Sequence, residues 1–113
     1  MSQACTTVSA AEQSDCQALF AREATCTDQF IPMLVDARMK LDKPAGIAKE
    51  NRAEVIGAAK IEWAEDSKPA AVEKTCGKKA PPKDVQAGLK QCLAEQGCDA
   101  FVKCVAPWTE KML

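Results

Sequence analysis

The chain contains no histidine and no tyrosine, and these two gaps narrow its chemistry sharply. Without histidine it lacks the commonest general base near neutral pH and the commonest metal ligand; without tyrosine it lacks the phenolic acid. There is no excess of either charge: 15 basic and 16 acidic residues nearly cancel and are interspersed, so no field gathers nucleic acid or an anionic membrane. No apolar run approaches the ~20 residues needed to cross a bilayer. Nothing alternates with period two for long and β-branched residues are sparse, which argues against a sheet. The opening residues lack the basic-then-apolar layout of a signal peptide. Export would therefore require a leader already removed, with Met1 standing ahead of the mature sequence.

What is present is globular. Hydrophobic residues make up 47% and charged residues 27% of 113, the size and composition of one domain, 1–113, with residues 1–8 a flexible N-terminal segment. Ser9 followed by Glu12 forms a capping box and predicts a helix start. From Cys16 an apolar stripe through Leu19, Cys26, Phe30, Met33 and Ala37 continues to about Leu41, breached by Glu23, and Pro32 should kink or split that helix. Val55, Ile56, Ala59 and Trp63 predict an amphipathic helix over 45–66, with Trp63 in the core. Asp42-Lys43-Pro44-Ala45 recurs as Ser67-Lys68-Pro69-Ala70, and both copies read as helix starts with proline in the first turn. The second start gives a short helix to about Cys76, stopped by Gly77. The next runs from Pro82 to Gln96 and ends at Gly97, and Cys98 to Val105 forms a last turn or two before a Pro107-Trp108 tail. The expected fold is all-α: four to five helices in a small bundle stapled by disulfides.

The staples would come from seven cysteines. Local thiolate metal sites place two cysteines two to four residues apart, and no successive pair here is that close. A bundle gathering distant thiolates around Cu(I) or Zn remains as an alternative. A nucleophilic cysteine wants a histidine or an equivalent base, and a redox pair wants C-x-x-C; both are missing. As disulfide partners, Cys16, Cys26, Cys76, Cys92, Cys98 and Cys104 make geometric sense. Cys98 and Cys104, six apart, turn through roughly 240° of a helix surface, so one helix could be pinned to two others. Cys16 and Cys26 stand about 15 Å apart along a helix, too far to join each other. Their expected partners are the C-terminal cysteines, with Cys16–Cys104 the guess among many patterns. Cys5, in the polar opening segment, is the candidate for the odd or modified thiol, which leaves a dimer through it open.

Two resemblances attach to these spacings. Cys16 and Cys26 form a C-x9-C pair similar to half of the twin C-x9-C helical hairpins of the mitochondrial intermembrane space. Cys92, Cys98 and Cys104, in CLAEQGCDAFVKCV, resemble the C-terminal C-x5-C-x5-C segment of small exported cysteine-rich proteins and lipoproteins of delta-class proteobacteria. The first implies helix stapling. The second implies a periplasmic or surface location.

These readings converge on a non-enzymatic, extracytoplasmic binding or interaction module, periplasmic, at the cell surface or secreted, with no cofactor and no catalytic residue. Its partner would be a protein or a small apolar ligand. The alternatives are a thiolate metal-binding protein and a carrier whose pocket forms where helices kink around Pro32 and small residues 45–48 leave a gap. Asp15, Glu23, Asp28, Asp36 and Asp66 could in principle serve an enzyme, but no pair among them is distinguished by its setting.

Overall fold

Ser9 opens the first helix reciprocally with Glu12: its Oγ accepts the Glu12 amide at 3.1 Å, and the Glu12 carboxylate accepts the Ser9 amide at 3.0 Å. Two orphan donors of the first turn are thereby satisfied, and the bond from the Ser9 amide holds the Glu12 carboxyl below its ordinary pKa. In this computed structural model, which describes residues 8–46 and 49–113, that helix is α1, Ala10–Thr25. It is followed by α2, Thr27–Leu41; a 3-10 turn, Lys49–Asn51; α3, Arg52–Asp66; α4, Pro69–Lys78; α5, Lys83–Cys92; and α6, Cys98–Met112. There are thus six helices and no strand among the described residues, rather than four or five helices.

The additional helix comes from a break at Cys26, not at Pro32. Cys26 leaves helical geometry at φ −104° and ψ 25°. Its amide donates to the carbonyls of Arg22 and Glu23, and its carbonyl accepts from Gln29 and Phe30, so one residue closes α1 and opens α2. Buried and bonded to Cys98, it turns the chain toward α6. Pro32 stays inside α2, where it removes a single intrahelical donor beside the fully buried Ile31 and Val35.

Three other boundaries move for similar reasons. α4 runs through Gly77 to Lys78 and stops where Lys79 becomes extended ahead of Ala80-Pro81-Pro82, since an exposed glycine weakens a last turn without ending it. α5 ends at Cys92, short of Gln96, because the Arg22 guanidinium takes over the carbonyls beyond it: Leu93 at 3.3 Å, Glu95 at 2.6 Å and Gly97 at 3.3 Å. α6 continues through Pro107 to Met112, because Phe101, Val102, Val105 and Thr109 repeat at helical spacing and are buried. Trp108, expected in a tail, packs on α5 over Gly88.

Of the two proline phrases only the second starts a helix, with Pro69 at its first position and Lys68 rather than Ser67 as N-cap. The Ser67 hydroxyl donates back to the Trp63 carbonyl at 2.7 Å. The first phrase forms a turn in which Asp42 is left-handed at φ 53° and its Oδ1 accepts the Gly46 amide at 3.0 Å. α3 accordingly starts at Arg52, later than Ala45.

The core lies where α2 and α5 meet α6, around Phe30, Ile31, Val35, Leu89, Phe101 and Val105. α3 packs on the far side of α2, and α1 packs on α4. Three disulfides fasten this arrangement: Cys16–Cys76 joins α1 to α4, Cys26–Cys98 joins the α1–α2 junction to α6, and Cys92–Cys104 joins α5 to α6. The guessed Cys16–Cys104 bond is not formed. Cys104 lies opposite the end of α5, and Cys16 faces α4. α6 is nevertheless held at both of its cysteines by two different elements. Cys5 lies outside the described residues.

Candidate functional site

α3 differs from the other helices in how it is held. It contains no cysteine, no disulfide reaches it, and none of its residues is fully buried. One edge is fastened to α2 by polar contacts. Arg52 donates from Nε and Nη2 to the two carboxylate oxygens of Asp36 at 2.6 and 2.9 Å, and Lys60 pairs with Asp28 at 3.0 Å. The Trp63 indole donates to Thr27 Oγ1 at 3.1 Å. The Arg52 bonds hold the Asp36 carboxyl below its usual range. Because residue 52 meets residue 36 and residue 63 meets residue 27, α3 runs antiparallel to α2. Trp63 also stacks on Phe20, ring centres 5.6 Å apart, and leans against Phe30 at 5.3 Å, so this end is the firmer one.

Along its other edge α3 stands away from α2 and leaves a groove of about 530 Å³, within the size range of small-molecule sites. Ile31 and Val35, one turn apart on α2, form its floor, with Leu34 beside them; Val55, Ala58 and Ala59 form the α3 wall. The groove opens on the flank of α3 that carries Ala58 and Ala59, the smallest side chains of its α3 lining. This setting differs from the kink at Pro32 and the small residues 45–48 expected from the sequence. Pro32 does not line the groove, Ala45 and Gly46 lie outside it, and residues 47–48 are outside the described residues.

The groove's ends carry opposite charge. Arg38 lines it near the start of α3, with Pro44 and Asn51, while Glu62 and Asp66 line it toward the other end. Asn51 and Glu62 are eleven residues apart, about 16 Å at 1.5 Å per residue. Arg38 is half-buried, whereas Glu62 and Asp66 are exposed. Among the described residues Arg38 makes no ion pair. No sequence signal marked Arg38 or Ala58; an alanine pair on the wall of a groove looks like helix filler until the facing helix is placed.

The residues singled out from the sequence are dispersed. Six cysteines are consumed in the three disulfides, and no group of three or more histidine, cysteine or acidic side chains converges among the described residues. Asp15 pairs with Lys90 at 3.5 Å, Asp28 and Asp36 fasten α3, and Asp66 lies on the groove's rim. Glu23, the breach in the apolar stripe, is buried in α1, and burial pushes its carboxyl up to about 8.

A second, wider depression lies between α1 and α5 across the α4–α5 connection, with Lys78, Lys79, Lys83 and Lys90 around it against Glu12 and Asp15. Among the described residues no helix is long and apolar enough to cross a membrane. No protein-family model, curated protein or solved structure matches this chain. The three intramolecular disulfides belong to an oxidising, extracytoplasmic environment.

Proposed function

We propose that the protein is a non-enzymatic binding module, periplasmic, at the cell surface or secreted, whose α2–α3 groove takes up an apolar ligand. The observation that carries this reading is the contrast between the stapled body and the unstapled α3. The Cys26–Cys98 bridge anchors the start of α2, and buried Phe30, Ile31, Val35 and Ala37 hold that wall in the core, while α3, with no buried residue of its own, is the wall that can give way as a ligand enters. Elements with little burial and exposed polar contacts open at lowest cost, and a preformed rigid floor keeps the entropy lost on binding small. With six thiols paired, the described residues supply no thiolate set for Cu(I) or Zn.

The test is titration with 1-N-phenylnaphthylamine, an uncharged apolar dye whose emission rises when it leaves water. Saturable binding with one site per chain, lost in Ala58→Trp, supports the reading. Ala58 is exposed, so the new indole fills the groove without disturbing the core. Absence of saturable binding, or binding indifferent to Ala58→Trp, overturns it.

A protein partner is the second reading, and the lysine-lined depression between α1 and α5 favours it. Four lysines against two carboxylates suit an acidic segment of another protein. Its binding would weaken steeply with salt, which apolar uptake would not.

A further inference from the structure

Resting on that reading of the α2–α3 groove, we infer that its ligand is a long-chain amphiphile with an anionic head, such as a fatty carboxylate, seated with the head at Arg38 and the chain along Ile31, Leu34 and Val35.

The groove is polar at its ends and apolar between them, which matches a ligand having one charged end and a hydrocarbon body. From Val55 to Trp63 is eight residues, about 12 Å of α3 axis; Val55, Ala59 and Trp63 are the residues of this stretch that both line the groove and pack against the core, with Glu62 on its exposed rim. A chain laid there removes its methylenes from water, a gain that grows with the apolar area covered.

The choice of head charge follows from how the two ends are solvated. Arg38 is half-buried against the groove and has no carboxylate partner among the described residues, so an arriving anion meets a guanidinium that is partly desolvated and not committed elsewhere. A planar carboxylate matches its donors in pairs. Glu62 and Asp66 also line the groove, but they are exposed and would be screened by water and salt, which makes them weak attractants for an amine head. Lying some 16 Å or more along α3 from the Asn51 end, they repel the carboxylate only where the chain has replaced it, and so favour the orientation with the head at Arg38.

The experiment compares three probes of matched chain length on the disulfide-intact protein: a fatty carboxylate, the corresponding alcohol and the corresponding alkylamine, each displacing bound 1-N-phenylnaphthylamine. The carboxylate is expected to bind at least about tenfold more tightly than the alcohol, the amine more weakly than either, and Arg38→Ala to abolish the carboxylate's advantage over the alcohol. Equal affinities for acid and alcohol, or an Arg38→Ala variant with the wild-type preference, overturn the anionic head while the apolar groove stands. Preference for the amine overturns it as well. Failure of all probes, the dye included, removes the groove reading itself. Because Arg38 is partly exposed, Arg38→Gln serves as a second variant that keeps side-chain bulk should truncation loosen the turn at Asp42.

Discussion

Gly88 on α5 lies directly beneath the indole of Trp108 on α6, so close that a Cβ at position 88 would overlap the ring carbons Cε2 and Cζ2. The packing of α6 on α5 therefore rests on the absence of a side chain, and the requirement is steric, since Gly88 is an ordinary helical residue. Gly88→Ala should destabilise the fold by about 2 kcal/mol, the usual scale of overpacking, and change Trp108 emission. Pairing it with Trp108→Leu should recover most of the loss. A neutral single variant, or no coupling in the double-mutant cycle, would contradict the contact.

Arg22 performs two tasks with one side chain. It donates to three carbonyls of the α5–α6 connection and sits 4.7 Å over the Phe101 ring. Arg22→Ala should cost about 1–2 kcal/mol, less than three fully buried charged bonds, because water replaces the exposed ones. Arg22→Lys should recover less than half of that, since an ammonium cannot span three acceptors as the planar fork does. Urea denaturation of the three proteins decides it, and full recovery by lysine would refute the capping role.

Glu23 sets the expected pH dependence. Its folded pKa of about 8 stands above the ordinary 4.5, with burial as the cause, so between these values the folded state binds the proton more tightly than the unfolded one. Stability from this group is fully present below about 4.5 and is lost as pH rises toward 8. At about 1.4 kcal/mol per pKa unit the loss amounts to several kcal/mol. Glu12, Asp36 and Asp84 act in the opposite sense and lower: their depressed values remove stability only as pH falls through the acid range. Glu23→Gln should flatten the decline from 4.5 to 8 and leave the acid limb intact. An unchanged decline in thermal melts would show that another group carries it.

The disulfides are not equivalent. Cys16–Cys76 and Cys26–Cys98 close loops of 60 and 72 residues, and Cys92–Cys104 one of 12. Chain entropy assigns about 4 kcal/mol to each long bridge and about 3 to the short one. The Cys26→Ser, Cys98→Ser pair should therefore lose more than the Cys92→Ser, Cys104→Ser pair. Peptide mapping without reduction should recover these three links, and recovery of a Cys16–Cys104 peptide would overturn this map.

Local signals were the legible part of this fold. The capping box at Ser9 and Glu12, the stripe of α3 and the proline start of α4 are short-range patterns, and the chain follows them. What could not be read depends on residues distant in sequence. The end of α5 is set by Arg22, some seventy positions earlier; the division of α1 from α2 is set by the bond from Cys26 to Cys98; and α6 persists through Pro107 because Gly88 leaves room for Trp108. The groove falls in the same class. Its floor was not marked, because the expected stripe on this segment ran through Phe30, Met33 and Ala37 rather than Ile31 and Val35, and the space above it depends on where α3 lands, which spacing along one helix does not record.

Because the two long bridges interleave, with the order 16, 26, 76, 98, any single cut in the chain between Leu41 and Arg52 leaves both pieces tethered at two points. A protease working in that connection would produce a nicked protein of nearly unchanged mass, revealed only after reduction. A further cut at Ser67–Lys68 frees α3 alone, since residues 52–66 carry no cysteine, and the remainder stays one covalent body. Proteolysis would thus strip away one wall of the groove and leave Ile31 and Val35 facing solvent on an intact stump.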